Sequence, residues 1–344
     1  MAEQFMRLPE REQAEILIAI AHQLKKEPVV LEKDIWVCWT LRALFTMPGR
    51  LPMAFKGGTA LSKVYNVIER FSEDLDITLD YRGFIDEIKG EHSRSAVKKI
   101  SEQLKVFVAN HSRNVVKPYF ENLLVEQFPG RKYSVDISED GEKLRIYYPS
   151  VLEEQFGRYL AANILIEFGG RNITEPNEQH IVRPYVAELL MELEFPEATV
   201  TVLAIARSFW EKATLIHVEC NRTEFKVSGE RLSRHWYDMS CLHRSGKALN
   251  AIADRALLED VIKYKKLFYN ASYANYNDCL ASSLKLIPDS AFIAALEKDF
   301  QQMVEAGMFY GTPSFDQIIS DNRELETLIN TTPDGRHCRE ASDT

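Results

Sequence analysis

The chain has 344 residues, 45% hydrophobic and 27% charged, the make-up of a water-soluble globular protein with room for one large domain or two ordinary ones. No apolar run approaches the roughly 20 residues that cross a bilayer, so no membrane partner is expected. A formal net charge of −9 argues against a surface coated with basic side chains, so any contact with RNA must use a local basic patch.

In chain order, "EREQAEILIAIAHQL" and "LEKDIWVCWTLRALF" carry apolar residues at three-and-four spacing and predict two helices, parted at Pro28 and closed by Pro48-Gly49. Trp36, Trp39 and Phe45 are expected in the core, while Glu32, Lys33 and Asp34 suit the N-terminal end of the second helix, where acids are favoured. "LPMAF" predicts a short strand, and "GTALSKVYNVIERF" a helix with Leu61, Val64, Tyr65 and Ile68 inward. "EDLDITLDY" alternates Leu75, Ile77 and Leu79 with Asp74, Asp76, Thr78 and Asp80, the period-two pattern of a strand with one buried face.

A helix over "RSAVKKISEQLKVFVANH" then leads to strands in "RKYSVDIS", "KLRIYYP" and "YLAANILIEFGG". The first two are joined by a hairpin signal at Glu139-Asp140-Gly141. "TVTVLAIAR" predicts a strand running into the helix "SFWEKATLIHVEC". From Leu232 onward the pattern is mostly helical, and the polar tail "TTPDGRHCREASDT" is expected to fray.

The five cysteines (Cys38, Cys220, Cys241, Cys279, Cys338) are scattered and form no C-x-x-C pair, and the eight histidines show no ligand spacing. This argues against a disulfide framework or structural zinc and suits a reducing cytosol. The opening "MAEQFMRLPEREQAEIL" carries acids and no apolar signal core, so a cytoplasmic location without a secretory leader is expected. Basic patches that could meet RNA are Lys98-Lys99, Arg131-Lys132, Arg231 with Arg234 and Arg244, and Lys263 with Lys265-Lys266; each reads first as a solvated helix or loop face.

Chemistry concentrates in "FKGGTALSKVYNVIERFSEDLDITLD". Residues two apart on a strand share a face, so Asp74 and Asp76 present two carboxylates side by side. Such a pair raises its own proton affinity unless it shares a cation, and oxygen ligands of this kind suit Mg²⁺ completed by water and substrate phosphates. Gly57 and Gly58 permit a turn that approaches a ligand closely, and Thr59 or the turn itself caps a helix N-terminus, a natural anion site. Taken singly, each piece reads as a plain turn or a solvated strand face; the order turn, helix, acidic strand joins them into one device. Arg70 could steady phosphate or pair with Glu69 or Glu73.

The stretch resembles motif one of the nucleotidyltransferase superfamily related to DNA polymerase β, and its wording, with "EKDIWVCWTLRALF" upstream, resembles the AbiEii/AbiGii-type toxin family of bacterial toxin–antitoxin and abortive-infection systems. The similarity covers about residues 30 to 80 and resumes at "ANILIEFGGR", "ARSFWEKATLIH" and "RHWYDMSCLH". The resemblance implies Asp74 and Asp76 as metal ligands, a third carboxylate best matched by Glu167, a helical lysine at Lys212 and a later acid at Asp238. In such chemistry divalent ions neutralise a triphosphate, a third acid holds an ion or takes a proton, and a lysine supplies positive charge for the phosphates. Asp80, Asp136 and Asp140 stay open as alternatives to Glu167. Lys212 could be an ordinary exposed helix lysine, and Asp238 could pair with Arg234 or His235 instead of holding Lys212.

The resulting expectation is an α+β fold with a nucleotidyltransferase-like mixed sheet core, N-terminal helices and a helical C-terminal region, divided at 1–205 and 206–335. The implied activity is Mg²⁺- or Mn²⁺-dependent transfer of a nucleoside monophosphate from an NTP to an RNA acceptor, best the tRNA 3′ end, held in check by a cognate antitoxin. The alternatives are a protein or small-molecule acceptor, or a nucleotide-binding module without turnover.

Overall fold

The computed structural model describes residues 4–332 apart from 71, 73, 91, 153–161, 223–230, 270 and 312. The chain forms two compact units: Met1–Val64 with Glu73–Val202, and Tyr65–Ser72 with Leu203–Thr344.

The first unit runs α1 (Gln4–Arg7), α2 (Glu10–Leu24), α3 (Pro28–Thr46), β1 (Met53–Lys56), α4 (Gly57–Lys63), β2 (Leu75–Asp80), α5 (Arg94–His111), α6 (Lys117–Gln127), β3 (Ser134–Ile137), β4 (Lys143–Tyr147), β5 (Asn163–Asn172), β6 (Asn177–Val182) and β7 (Ala198–Leu203). Its strands make one mixed sheet in the order β3-β4-β5-β2-β1-β7-β6. Strand β2 sits inside it, antiparallel to β1 and parallel to β5, and β5 pairs antiparallel with β4 on its other side. The fold is thus the α+β mixed sheet with flanking helices that the sequence pattern implies.

Helix α3 is buried on almost every side, as its apolar content demands. Trp36 stacks on Tyr148 with ring centroids 5.1 Å apart and meets Trp39 edge-on at 5.3 Å, while Trp39 Nε1 donates to Gln127 Oε1 at 2.9 Å. Glu32, Lys33 and Asp34, expected at the N-terminal end of the helix, lie within it because α3 begins earlier, at Pro28, and they are buried as well. Glu32 accepts from Ser150 Oγ and from Val151 N, both at 2.7 Å. Asp34 is ion-paired with Lys63 of α4 and accepts from Tyr185 N at 2.7 Å. Burial opposes the charge on Lys63, but Asp34 beside it more than compensates and holds the ammonium protonated.

Two expectations are corrected, and one strand was not foreseen. The helix expected over "GTALSKVYNVIERF" stops at Lys63, and Asn66 takes a left-handed conformation with φ 50°. The β-branched and Asn-containing stretch after Lys63 favours helix weakly, and Tyr65–Ser72 instead joins the second unit, where the Tyr65 hydroxyl donates to Leu203 O at 2.9 Å. Strand β2 is covered on both faces along most of its length, since Thr78 and Asp80 are buried along with Leu75, Ile77 and Leu79. Strand β6, "NEQHIV", carries no apolar alternation and gave no signal, as befits a mostly exposed strand at the sheet edge. The hairpin is as expected: Gly141, at φ 74°, donates its N–H to Ser138 O at 2.9 Å between β3 and β4.

The second unit is built from α7 (Ile205–Cys220), α8 (Arg234–Arg244), α9 (Lys247–Ala253), α10 (Arg255–Phe268), α11 (Tyr276–Leu280), α12 (Ser290–Glu305) and α13 (Phe315–Thr331). Helix α7 packs on α8, α9 and α10, and α8 packs on α13. Trp210 and Trp236 anchor the core, donating from Nε1 to Ala251 O and Leu286 O at 2.9 and 2.7 Å. The rest of the tail, including Cys338, lies outside the described residues.

Candidate active site

Strand register brings the acids together. Asp76 on β2 lies directly beside Glu167 on β5, and Leu75 beside Ile166, so the buried residues share one face and the two carboxylates the other. Glu167 in turn lies opposite Lys143 of β4, whose Nζ meets Glu167 Oε1 at 2.6 Å. The hydrogen bond to Glu167 is the main cause that raises the proton affinity of Lys143, and the charge of Asp74 adds to it. Lys143 therefore lies within electrostatic reach of both acids.

The other third-acid alternatives sit elsewhere. Asp80 is buried, accepting from Arg82 Nε at 2.8 Å and from Thr174 Oγ1 at 3.2 Å; burial alone raises its proton affinity, but the Arg82 contacts reverse this and hold the carboxyl below its usual range. Asp136 faces Arg145 across β3 and β4, and Asp140 caps the hairpin, accepting from Glu142 N at 3.0 Å.

The glycine turn packs against the same acids. Gly57 has φ 78°, and a Cβ placed there would lie 1.9 Å from Asp76 Oδ2. A side chain at 57 and the Asp76 carboxylate are mutually exclusive in these positions, which explains the glycine more directly than ligand approach does. Helix α4 spans seven residues, too short to gather a strong terminal dipole, and it is preceded by Lys56 with no side-chain cap. The cap expected at Thr59 is not formed. Thr59 is fully buried and its hydroxyl donates to Asp74 O at 2.7 Å, tying α4 to the start of the acidic strand.

Lys212 and Asp238 are brought together within the second unit. Asp238, wholly buried on α8, accepts from Lys212 Nζ at 2.8 Å, from Arg70 Nε at 2.7 Å and from Arg70 Nη2 at 2.9 Å. Burial by itself raises the proton affinity of Asp238, but Arg70 and Lys212 outweigh it and hold the carboxyl well below the ordinary range. For Lys212 burial dominates and lowers proton affinity, with Asp238 partly offsetting it and Arg70 adding to it. Burial and the charges of Lys212 and Arg234 likewise keep His235 neutral. The sequence offered Arg70 either phosphate or the nearby Glu69 and Glu73; the structure pairs it with Asp238 on a helix far along the chain, a contact that no local signal could reveal.

A profile of the family described as "Nucleotidyl transferase AbiEii toxin, Type IV TA system" matches residues 39–321. The chain belongs to this family. It is therefore a nucleotidyltransferase toxin of a type IV toxin–antitoxin system. A search of the solved structures pairs it with MenT4, a nucleotidyltransferase toxin from Mycobacterium tuberculosis H37Rv, at 18% identity and a TM-score of 0.46, covering 98% of this chain and 97% of that one. Among curated proteins no sequence matches. Among the described residues no helix of this AbiEii-family chain is long and apolar enough to cross a membrane.

The acidic face offers carboxylate oxygens, from Asp76 and Glu167, which are the donors a hard divalent cation takes. Among the described residues no group of three or more His, Cys, Asp or Glu side chains is gathered tightly enough to enclose an ion alone.

Proposed function

We propose that this toxin transfers a nucleoside monophosphate from an NTP to the 3′ end of tRNA, in the cytoplasm, with Asp74, Asp76 and Glu167 holding Mg²⁺ or Mn²⁺. The observation that carries the site assignment is the register that sets Asp76 beside Glu167, with Gly57 left bare to admit Asp76. When bound, the divalent ion neutralises the triphosphate and favours in-line attack on its α-phosphorus. Asp76 and Glu167 orient it from one sheet face, and Asp74 joins them at the strand entrance, where Thr59 fixes the backbone.

Lys212 supplies positive charge for the β- and γ-phosphates and the departing pyrophosphate, and Asp238 positions it together with Arg70. Gly58, with Gly57, lets the turn come close to the phosphates. The acceptor hydroxyl forms the new bond to the α-phosphorus while the bond to pyrophosphate breaks. The cognate antitoxin is supported by the type IV toxin–antitoxin family, and the tRNA acceptor is what the sequence resemblance implies. The test incubates purified protein with each α-phosphate-labelled NTP, Mg²⁺ and total tRNA, beside Asp76→Ala. Label on tRNA that Asp76→Ala abolishes supports the reading; label on protein or small molecules moves the acceptor, and NTP binding without transfer rejects turnover.

A further inference from the structure

Lys143 was not among the residues singled out by motif, yet it is the cation the fold itself builds into the acidic face. It opens β4, its register partner is Glu167, and Glu167 is the register partner of Asp76. Along β4 the alternation puts Leu144 and Ile146 in the core and Lys143, Arg145 and Tyr147 on the outer face, so the backbone sets Lys143 on the face that carries Glu167. Its ammonium contacts Glu167 Oε1 at 2.6 Å, and the charge of Asp74 also reaches it.

We infer that Lys143 is an internal counter-ion of the acidic face that competes with the divalent cation and so sets the affinity for it. This rests on the reading that Asp74, Asp76 and Glu167 bind metal. The physical argument is one of exchange. Asp76 and Glu167, neighbours on one face, repel each other, and a tethered ammonium relieves part of that repulsion when no metal is bound. A divalent ion that enters must take Glu167 from Lys143 and then share the face with a like charge. Both consequences weaken binding, and both vanish if the side chain is made neutral. Because the Lys143 and Glu167 side chains are 46% and 36% exposed, solvent screens the effect and keeps it moderate. The same exposure means that a neutral replacement at 143 leaves no buried carboxylate stranded, so the fold is expected to survive it.

The experiment measures Mn²⁺ affinity directly, by electron paramagnetic resonance of free Mn²⁺, without reference to turnover. The proteins are wild type, Lys143→Met, Lys143→Gln, Lys143→Arg, Asp76→Ala and the control Lys105→Met on α5, whose partner is Glu102. The inference predicts that Lys143→Met and Lys143→Gln bind Mn²⁺ about three- to tenfold more tightly than wild type, as loss of one nearby positive charge requires. Lys143→Arg and Lys105→Met should match wild type, since the first keeps the charge and the second removes one that is paired with Glu102 and not with Glu167. Equal or weaker binding in both neutral variants, with wild type binding normally and Asp76→Ala not, overturns the role of Lys143 and leaves the metal site standing. Tightening in Lys105→Met to the same degree also overturns it, because net charge alone would then explain the result. Wild-type binding that Asp76→Ala leaves unchanged overturns the metal reading, and this inference with it.

Discussion

The α-carbon of Gly57 faces the carboxylate of Asp76 so closely that a Cβ at 57 would lie 1.9 Å from Oδ2. Turn and acidic strand, which the sequence offers as two motifs, are thus one steric unit. Gly57→Ala should force Asp76 to move and add the strain of a left-handed residue with a side chain, about 1–2 kcal/mol. Since a misplacement near 1 Å can cost about a hundredfold in rate, turnover should fall by that order while the protein remains folded. Nucleotidyl transfer together with urea unfolding checks this; wild-type turnover in Gly57→Ala would contradict it.

Asp238 binds two cations in the interior of the second unit, so its removal strands both. Asp238→Ala is expected to cost about 3–5 kcal/mol, the usual penalty for breaking a buried pair. Urea midpoints compare it with wild type. A loss below about 1 kcal/mol, typical of an exposed pair, would show that Asp238 does not bear this load.

The same carboxylate gives a pH signature. Its folded pKa is depressed below the unfolded value, so its stabilisation is fully present above about pH 4 and is lost as pH falls from there towards the folded pKa. The stability gap between wild type and Asp238→Asn should therefore be constant from about pH 7 to 5 and narrow below about pH 4. A gap that stays constant to about pH 3 would mean that Asp238 titrates as it does in the unfolded chain.

Lys63 and Asp34 tie α4 to α3 through a buried ion pair, with the Lys63 ammonium also 4.0 Å from the Tyr185 ring centroid. Lys63→Met should destabilise by about 3–5 kcal/mol, and adding Asp34→Asn should cost much less than the sum of the two. Denaturant unfolding of the four proteins of this cycle gives the coupling. Additive losses would show that the two side chains act independently.

Much of this was legible locally. Alternation marked β2, the Glu-Asp-Gly turn marked the hairpin of β3 and β4, and Trp36 and Trp39 marked a buried helix, because each pattern repeats within a few residues. Gly57, Asp74 and Asp76 could be singled out for the same reason. What stayed hidden depends on partners far along the chain. Helix α4 ends early because Tyr65–Ser72 is claimed by the second unit, and Arg70 finds Asp238 there. Lys143 looked like any strand lysine until β4 was aligned on β5. Glu167 could be preferred to Asp80 only by family likeness, whereas register sets Glu167 beside Asp76 and buries Asp80 against Arg82.

The central claim is that Asp74, Asp76 and Glu167 form one metal-dependent nucleotidyl-transfer site. The most direct measurement is transfer of α-phosphate label from NTP to tRNA by wild type, Asp74→Asn, Asp76→Asn and Glu167→Gln, with and without a chelator. The account predicts label on the tRNA 3′ end for wild type with metal, and a loss of at least about a hundredfold in each variant and with chelator. Undiminished transfer in Asp76→Asn, or transfer indifferent to the chelator, would contradict it.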